Sequence, residues 1–451
     1  MSQSSSAQIL QSLFVAFAWA FDAQQIFITI FTEADPAWHC LKSTDRTCTA
    51  ASSPCSLHPS SWVWTSPSDT STISEWDLNC SGKALSSLPT SAFFMGCLIG
   101  GLMLSTLADS VLGRKKVLVL SCLIMSVAGA LTALSPNICV YSVLRFVSGF
   151  GRSAVTTCSL VLCTEAVDDK WRHRLSMSAF LFFTLGFLSL PPLAYICRRS
   201  SWRLLYLFTC IPALCYTILL NFIAKESTRW LSVNENTDKA KQFCQVFSSM
   251  KKLVTTRSTL WKLVSIMIVG YGTGMVYYGM PLSVGSLGPN LYLSVAYNAL
   301  SELPTSLASF FLVEKVNRRS SLVALTISSG IFSLFCSVKG MTRAIKLAAE
   351  VIAFFSACMA LNVTLIYSTE LFPTCVRNSA LALVRQAILL GSSMAPFLVA
   401  EGRRTSRLWS FGIFGIAGCC CGLFVLFLPE TKGKTLTDNM DEEMPKEDST
   451  I

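Results

Sequence analysis

Windows of about 20 apolar residues, bounded by charged residues, Pro or Asn, recur along the whole chain, and a helix of that length crosses the hydrocarbon of a bilayer. Twelve are present, near 10–31, 91–108, 117–134, 139–163, 177–197, 203–223, 260–281, 290–313, 320–338, 345–367, 379–400 and 409–428. The pattern predicts an all-α membrane protein with 12 transmembrane helices. An even number of spans puts both termini on one side. No Lys or Arg precedes the first window, and Asp22, Gln24 and Gln25 interrupt its apolar run, so it reads as a retained helix and not as a secretory signal.

Composition agrees. Of 451 residues, 52% are hydrophobic and 14% charged, where soluble domains carry about 25% charge. Mean hydropathy is +0.53. A water-soluble globule and a disordered chain are excluded, and no Gly-X-Y or sustained heptad pattern is present. The net charge of +10 would suggest nucleic acid in a soluble protein, but here it follows topology. With both termini cytoplasmic, the inner loops and final segment hold 21 Lys/Arg against 12 outside, counting Lys262, Arg203 and Lys346 with their adjoining loops. Basic residues collect on the cytoplasmic side, so this bias supports the orientation. Arg198, Arg199, Arg403, Arg404 and Arg407 run against it. The expected partner is therefore the bilayer, not nucleic acid.

The first outer loop, about 32–90, is the longest outer one and contains Cys40, Cys48, Cys55 and Cys80. Four cysteines allow three pairings, and two disulfides suit an oxidising compartment. The other cysteines lie in spans or on the inner side and read as small apolar residues. Asn79-Cys80-Ser81 fits the glycosylation pattern, although a bridged Cys80 would hinder the acceptor.

The most informative feature is internal repetition. Asp109 leads into Gly113-Arg114-Lys115, and Glu314 leads into Asn317-Arg318-Arg319, with the acids 205 residues apart. Glu165 with Arg172 recurs as Glu370 with Arg377, again at 205. Glu226 recurs as Glu430 at 204. Three acid-and-base clusters in one order at one spacing imply a six-plus-six duplication. Such halves describe a transporter whose substrate sits at midplane between them and is exposed alternately to each side. The clusters then suit a cytoplasmic gate. Asp109 with Arg114, Glu165 with Arg172, Glu314 with Arg318 and Glu370 with Arg377 are the expected pairs.

With these clusters located, the chain resembles the major facilitator superfamily, which implies its fold of two six-helix halves. Asp109-Ser110-Val111-Leu112-Gly113-Arg114-Lys115 is similar to the acid-x-x-Gly-Arg-Arg loop after helix 2, with one extra residue and with Ser105 where glycine is common. Arg145-Phe146-Val147-Ser148-Gly149-Phe150-Gly151 matches the helix 4 pattern Arg-x-x-x-Gly-x-Gly. Glu226-Ser227-Thr228-Arg229-Trp230-Leu231 resembles the stretch after helix 6, with Thr228 in place of proline, and Pro429-Glu430-Thr431-Lys432-Gly433 resembles the end of helix 12. Tyr367 to Asn378, the cysteine-bearing outer loop and Tyr277-Tyr278-Gly279 resemble the organic ion transporters of solute carrier family 22. Phe21 to Gln25 and Pro36 to Cys40 resemble their plant organic cation/carnitine branch. The resemblance implies carrier-mediated movement of small organic ions.

The implied domains are an N-terminal half at 1–231, a cytoplasmic linker at 232–259, a C-terminal half at 260–440 and an acidic cytoplasmic tail at 441–451. A charge at a helix centre costs roughly 2.5–3.5 kcal/mol on insertion scales, so each needs a partner or a task. Asp22, Arg145, Arg152, Glu302, Glu350 and Arg385 are the charges inside spans. Glu350 lies near an outer end and reads as solvated. Arg145 is expected to pair with Asp22 or Asp109 as a structural or coupling charge. Arg385 stands where the resemblance places a basic residue in anion- and carnitine-handling relatives, and its guanidinium is a fork for a carboxylate. An ion pair with Glu302 is the competing role. Glu302 resembles an acidic helix 8 position in members that bind ammonium groups, and one acid with one base favours a zwitterion.

Tyr277, Tyr278 and Tyr367, with Phe21 and Phe27, offer aromatic faces to a quaternary ammonium. Gln24, Gln25, Asn298 and Asn362 are hydrogen-bonding neighbours. The expected function is transport of small organic cations or zwitterions, carnitine-like compounds first. H⁺ or Na⁺ is the expected coupling ion, the protein is expected to be a monomer, and its membrane is the plasma membrane or the vacuole. A sugar or polyol porter, and a non-transporting receptor on the same scaffold, are the alternatives. Enzymatic activity is not expected, because His39, His58 and His173 are the three histidines and no nucleophile–base pair or metal cluster has usable spacing. Gly433-Lys434-Thr435 lacks the first glycine of a phosphate loop, which leaves no nucleotide or other cofactor to expect.

Overall fold

The computed structural model describes residues 6–41, 54–58, 61–80, 83–110, 112–226, 257–287, 290–338, 340–405 and 409–432. Its long helices, in order, are α1 (Ser6–Thr32), α2 (Lys83–Ser110), α3 (Arg114–Thr132), α4 (Ile138–Glu165), α5 (Asp169–Ile196) and α6 (Trp202–Ile223). There follow α7 (Arg257–Ser283), α8 (Leu291–Lys315), α9 (Arg318–Ser337), α10 (Arg343–Leu371), α11 (Thr374–Thr405) and α12 (Trp409–Phe427). Each of the predicted windows is helical. Eleven of these helices are long and apolar enough to span a membrane. α8 is the one that falls short on hydropathy, because it carries Asn298, Glu302, Pro304 and several serines. The shortfall thus comes from polar groups, which inside a span mark a candidate functional site.

α4 shows how a membrane helix inverts the soluble pattern. The Asn137 side chain accepts the Val140 N–H at 2.9 Å and caps its start. Tyr141, Arg145, Ser148 and Arg152 recur at helical spacing and are buried, while Val140, Val143 and Val147 are exposed. Its polar stripe faces protein and its apolar stripe faces outward, as hydrocarbon demands.

The described residues pack as two compact units. The first draws on 1–230 together with 289–299 and 396–405, and the second on 231–288, 300–395 and 406–451. The start of α8 belongs with the first unit, where Tyr292 stacks on Phe31 at 5.7 Å and meets Tyr195 edge-on at 5.6 Å. Nearly all of the expected linker, and the acidic tail, lie outside the described residues.

Close helix approach is set by glycine. A Cβ on Gly186 of α5 would lie 2.2 Å from the Ala20 carbonyl oxygen of α1, and one on Gly391 of α11 would lie 2.0 Å from that of Tyr271 of α7. The two glycines are 205 residues apart. The same helix–helix contact is therefore built twice, once per unit, by a residue whose missing side chain lets backbones touch.

The outer segment carries a two-stranded antiparallel ladder, β1 (Trp38–Cys40) on β2 (Trp62–Trp64), with Trp38 opposite Trp64. Cys55 is bridged to Cys80, and Cys40 is disulfide-bonded; Cys48 lies outside the described residues. The Asn79 side-chain nitrogen is buried. Glu75 fastens this segment to α6 by accepting from Trp202 Nε1 and Arg203 Nη1, each at 2.6 Å.

Replacing Gly391 by Val should cost about 2 kcal/mol or more, because a backbone oxygen cannot move aside. Gly412→Ala, whose Cβ would meet nothing nearer than 3.8 Å, should be tolerated. Thermal unfolding of the detergent-solubilised variants checks both, and equal melting temperatures would contradict the contact.

Candidate functional site

In the first unit the buried charges sort by helix direction. α1 and α4 run in opposite senses, so Asp22 lies level with Arg152 and Gln25 with Arg145. Arg152 donates to both Asp22 oxygens, from Nε at 2.8 Å and from Nη2 at 3.0 Å. Asp22 is fully buried. The expected pairing of Arg145 with Asp22 or Asp109 does not form. Arg145 Nη2 instead donates to the Gln25 carbonyl at 3.0 Å, and its guanidinium lies 4.2 Å from the Phe93 ring centroid. Among the described residues no carboxylate pairs with Arg145. Gln24 is held by Ser189 at 2.7 Å, and Gln25 by Cys210 at 3.2 Å. Phe27 is stacked on Phe187 with centroids 3.9 Å apart.

Toward the outer end of this unit, Glu33 accepts from Thr90 at 2.7 Å and Tyr141 at 3.2 Å, and Tyr141 shares a 2.8 Å hydrogen bond with Tyr206. Sequence reasoning missed this network because Glu33 sits just past the first apolar window. The signal was available in two buried-face tyrosines 65 residues apart, but nothing in the spacing joins them to Glu33.

In the second unit, Tyr277 of α7 donates to Glu302 Oε1 at 2.7 Å. The other oxygen, Oε2, is buried and has no hydrogen-bond partner. The Tyr277 ring is stacked on Phe354 of α10 at 5.5 Å, and Tyr278 meets it edge-on at 4.7 Å. Asn298, in the stretch of α8 that packs with the first unit, is buried. Arg385 of α11 is half-buried and makes no hydrogen bond or ion pair with the described residues, so the pair with Glu302 does not form. The neighbouring Gln386 Oε1 is buried without a partner. Glu350 is fully buried and not solvated as its place in the window suggested.

Tyr367 is not among these groups. Its hydroxyl donates to the Pro429 carbonyl, and its ring is fully buried at the charged helix ends. The clusters expected to form a gate pair across elements. Arg114 of α3 bonds Glu165 of α4, and Glu226 Oε1 accepts the backbone N–H of Arg114 at 3.0 Å and of Lys115 at 3.1 Å. In the second unit Arg318 of α9 pairs with Glu370 of α10 at 3.1 Å, and Glu430 accepts the backbone N–H of Arg318 at 2.9 Å and Arg319 at 3.2 Å. Thr431 also donates to Glu370 Oε2 at 2.7 Å.

Each knot joins a carboxylate to a helix N-terminus, where orphan N–H groups and the dipole favour negative charge. Glu370 with Arg377, expected from spacing, is not formed; Arg377 Nε donates to the Phe372 carbonyl at 3.3 Å. The side chains of Asp109, Arg172 and Glu314 lie outside the described residues.

The knots recur residue for residue: Arg114 and Arg318, Glu165 and Glu370, Glu226 and Glu430, 204 or 205 apart. Residues 77–396 match the Major Facilitator Superfamily. The chain belongs to the major facilitator superfamily. Organic cation/carnitine transporter 3 of Arabidopsis thaliana is 48% identical over 97% of this chain and 90% of its own length. Organic cation/carnitine transporter 2 of the same plant is 46% identical over 98% and 92%. A crystal structure of a D-xylose–proton symporter superposes with a TM-score of 0.71 at 18% identity, covering 95% of this chain and 99% of that one; it shows a shared fold. The chain is thus a multi-pass integral membrane protein, and the resemblance to the plant branch of the organic ion transporters is borne out.

Breaking the Asp22–Arg152 pair on one side should cost about 3–5 kcal/mol, because it strands a buried charge. Arg152→Met should therefore unfold well below the wild type, and Asp22→Asn/Arg152→Met should recover much of the loss. A double variant no more stable than the single one would show that the pair is not what makes Asp22 tolerable.

Proposed function

We propose that the protein carries small organic cations and zwitterions, carnitine-like compounds first, by alternating access, the mode that a six-plus-six duplication suits. The observation that carries this reading is the Glu302–Tyr277 site. A buried carboxylate with one oxygen held by a tyrosine and the other without a partner offers negative charge to a cation. Quaternary ammonium groups are bound by aromatic faces and a nearby anion, with each ring worth roughly 0.5–2 kcal/mol. Tyr277 stands beside Glu302, and Tyr278 and Phe354 pack against its ring, so aromatic groups gather next to the carboxylate.

Arg385 takes the carboxylate of a zwitterion. Its guanidinium has no partner among the described residues to give up, so a bidentate pair with a substrate carboxylate would offset its cost in the span. The names of the two plant relatives agree with this chemistry. A hexose, which has no charge for either group, would leave both the acid and the base unsatisfied. No chemical step on the substrate is invoked.

Uptake in proteoliposomes separates the two roles. Arg385→Ala should raise the KM for carnitine about tenfold or more, the worth of a charge-assisted hydrogen bond of about 1.5 kcal/mol, and leave choline nearly unchanged. Glu302→Gln should raise the KM for both. An Arg385→Ala protein that reaches the membrane with an unchanged KM for carnitine would remove the carboxylate role.

A further inference from the structure

The second-unit knot contains a feature that its fastening role does not need. Thr431, in the short segment after α12, places its hydroxyl on the same Glu370 carboxylate that receives Arg318: Thr431 Oγ1 donates to Oε2 at 2.7 Å, while Arg318 donates from Nε to Oε2 at 3.1 Å and from Nη2 to Oε1 at 3.1 Å. Thr431 is half-buried and the adjoining Lys432 is exposed. Glu430 accepts the backbone N–H of Arg318, Arg319, Thr431 and Lys432 at 2.9–3.2 Å, so this segment is folded onto the N-terminus of α9. Lys432 Nζ donates to the Lys315 carbonyl at 2.6 Å, and Arg319 Nη2 bonds the Leu426 carbonyl. Arg318 and the Thr431 hydroxyl therefore share one carboxylate, in a knot that also includes Arg319, Lys432 and the N-terminus of α9.

We propose that Thr431 is a phosphorylation site whose modification moves Arg318 from Glu370 to the phosphate and thereby releases the fastening between α9 and α10. A serine/threonine protein kinase on the aqueous side would supply ATP. The Thr431 Oγ–phosphorus bond forms, the bond from the γ-phosphorus to ADP breaks, and the hydroxyl proton leaves to the kinase base. The phosphothreonine has no hydroxyl proton to give Glu370, and it carries a charge of about −1.5 to −2 where the carboxylate sits within hydrogen-bond reach. Repulsion drives Glu370 away. Arg318 prefers the phosphate, whose oxygens accept its fork in the same bidentate way with more charge. Arg319, Lys432 and the positive end of α9 hold the group in place. Because Thr431 is engaged while the knot is closed, the kinase acts when the Thr431 hydroxyl comes off Glu370, and the phosphate then takes Arg318 and keeps the knot from closing again.

The proposal rests on the reading of this end as cytosolic. Its test uses the full-length protein reconstituted in liposomes, with phosphate at Thr431 quantified by mass spectrometry before and after phosphatase, alongside counterflow of labelled choline. The expected result is phosphate on Thr431 in protein taken from native membranes, a counterflow rate that differs about fivefold or more between the two forms, and no phosphatase response in Thr431→Ala. Amide exchange at 366–371 should rise in the phosphorylated form even if choline is not a substrate, which keeps this test separate from the transport reading. Absence of phosphate on Thr431, or phosphorylated and dephosphorylated protein with equal exchange at 366–371, would overturn it.

Discussion

An ionised side chain in hydrocarbon must recover what it loses with its water shell, through an opposite charge, a polar backbone or an ion that comes and goes. The spans of this protein hold few charges, and most are accounted for inside one unit. Asp22 is matched by Arg152 with two hydrogen bonds, and Arg145 is spread over a backbone carbonyl and two aromatic rings. Glu302 and Arg385 are different. Glu302 keeps one buried oxygen without a partner, and Arg385 bonds to none of the described residues. Static stability would favour joining them, and under the proposed function a zwitterionic substrate supplies the partner that each lacks among the described residues.

Duplication governs the remaining architecture. One close glycine contact and one ion-pair knot are built twice at nearly constant spacing. The knots are local and few, as the proposed alternating access requires, since two states of similar energy cannot be separated by many strong bonds. The copies are not identical. Gly113, with φ of 83°, makes the turn into α3, where Asn317 in extended backbone precedes α9. Described contacts at Thr431 likewise belong to the second knot.

Much of this was legible in the chain itself. Apolar windows located every long helix, because a bilayer sets one length for all of them, and recurring clusters disclosed the duplication. What could not be read was partnership. Spacing along the sequence pairs Glu370 with Arg377, but α10 and α11 carry them apart, and the arginine that arrives comes from α9. Asp22 chooses Arg152 over Arg145 because antiparallel helices match an inner residue with an inner one. Tyr367, nominated for its ring, proved to act through its hydroxyl at the charged ends. Glu302 and Tyr277 were singled out separately, one for its charge and one for its ring, and the hydrogen bond that joins them is a finding of the structure.

The proposed function depends on Glu302 and Arg385 facing an organic cation or zwitterion. Liposomes containing the wild-type protein and loaded with unlabelled compound can be tested for entry of labelled choline, carnitine and a hexose in parallel. Choline and carnitine should exchange well above protein-free vesicles while the hexose remains at background. Hexose exchange with neither cation moving would contradict the assignment of Glu302 and Arg385 as substrate-facing charges.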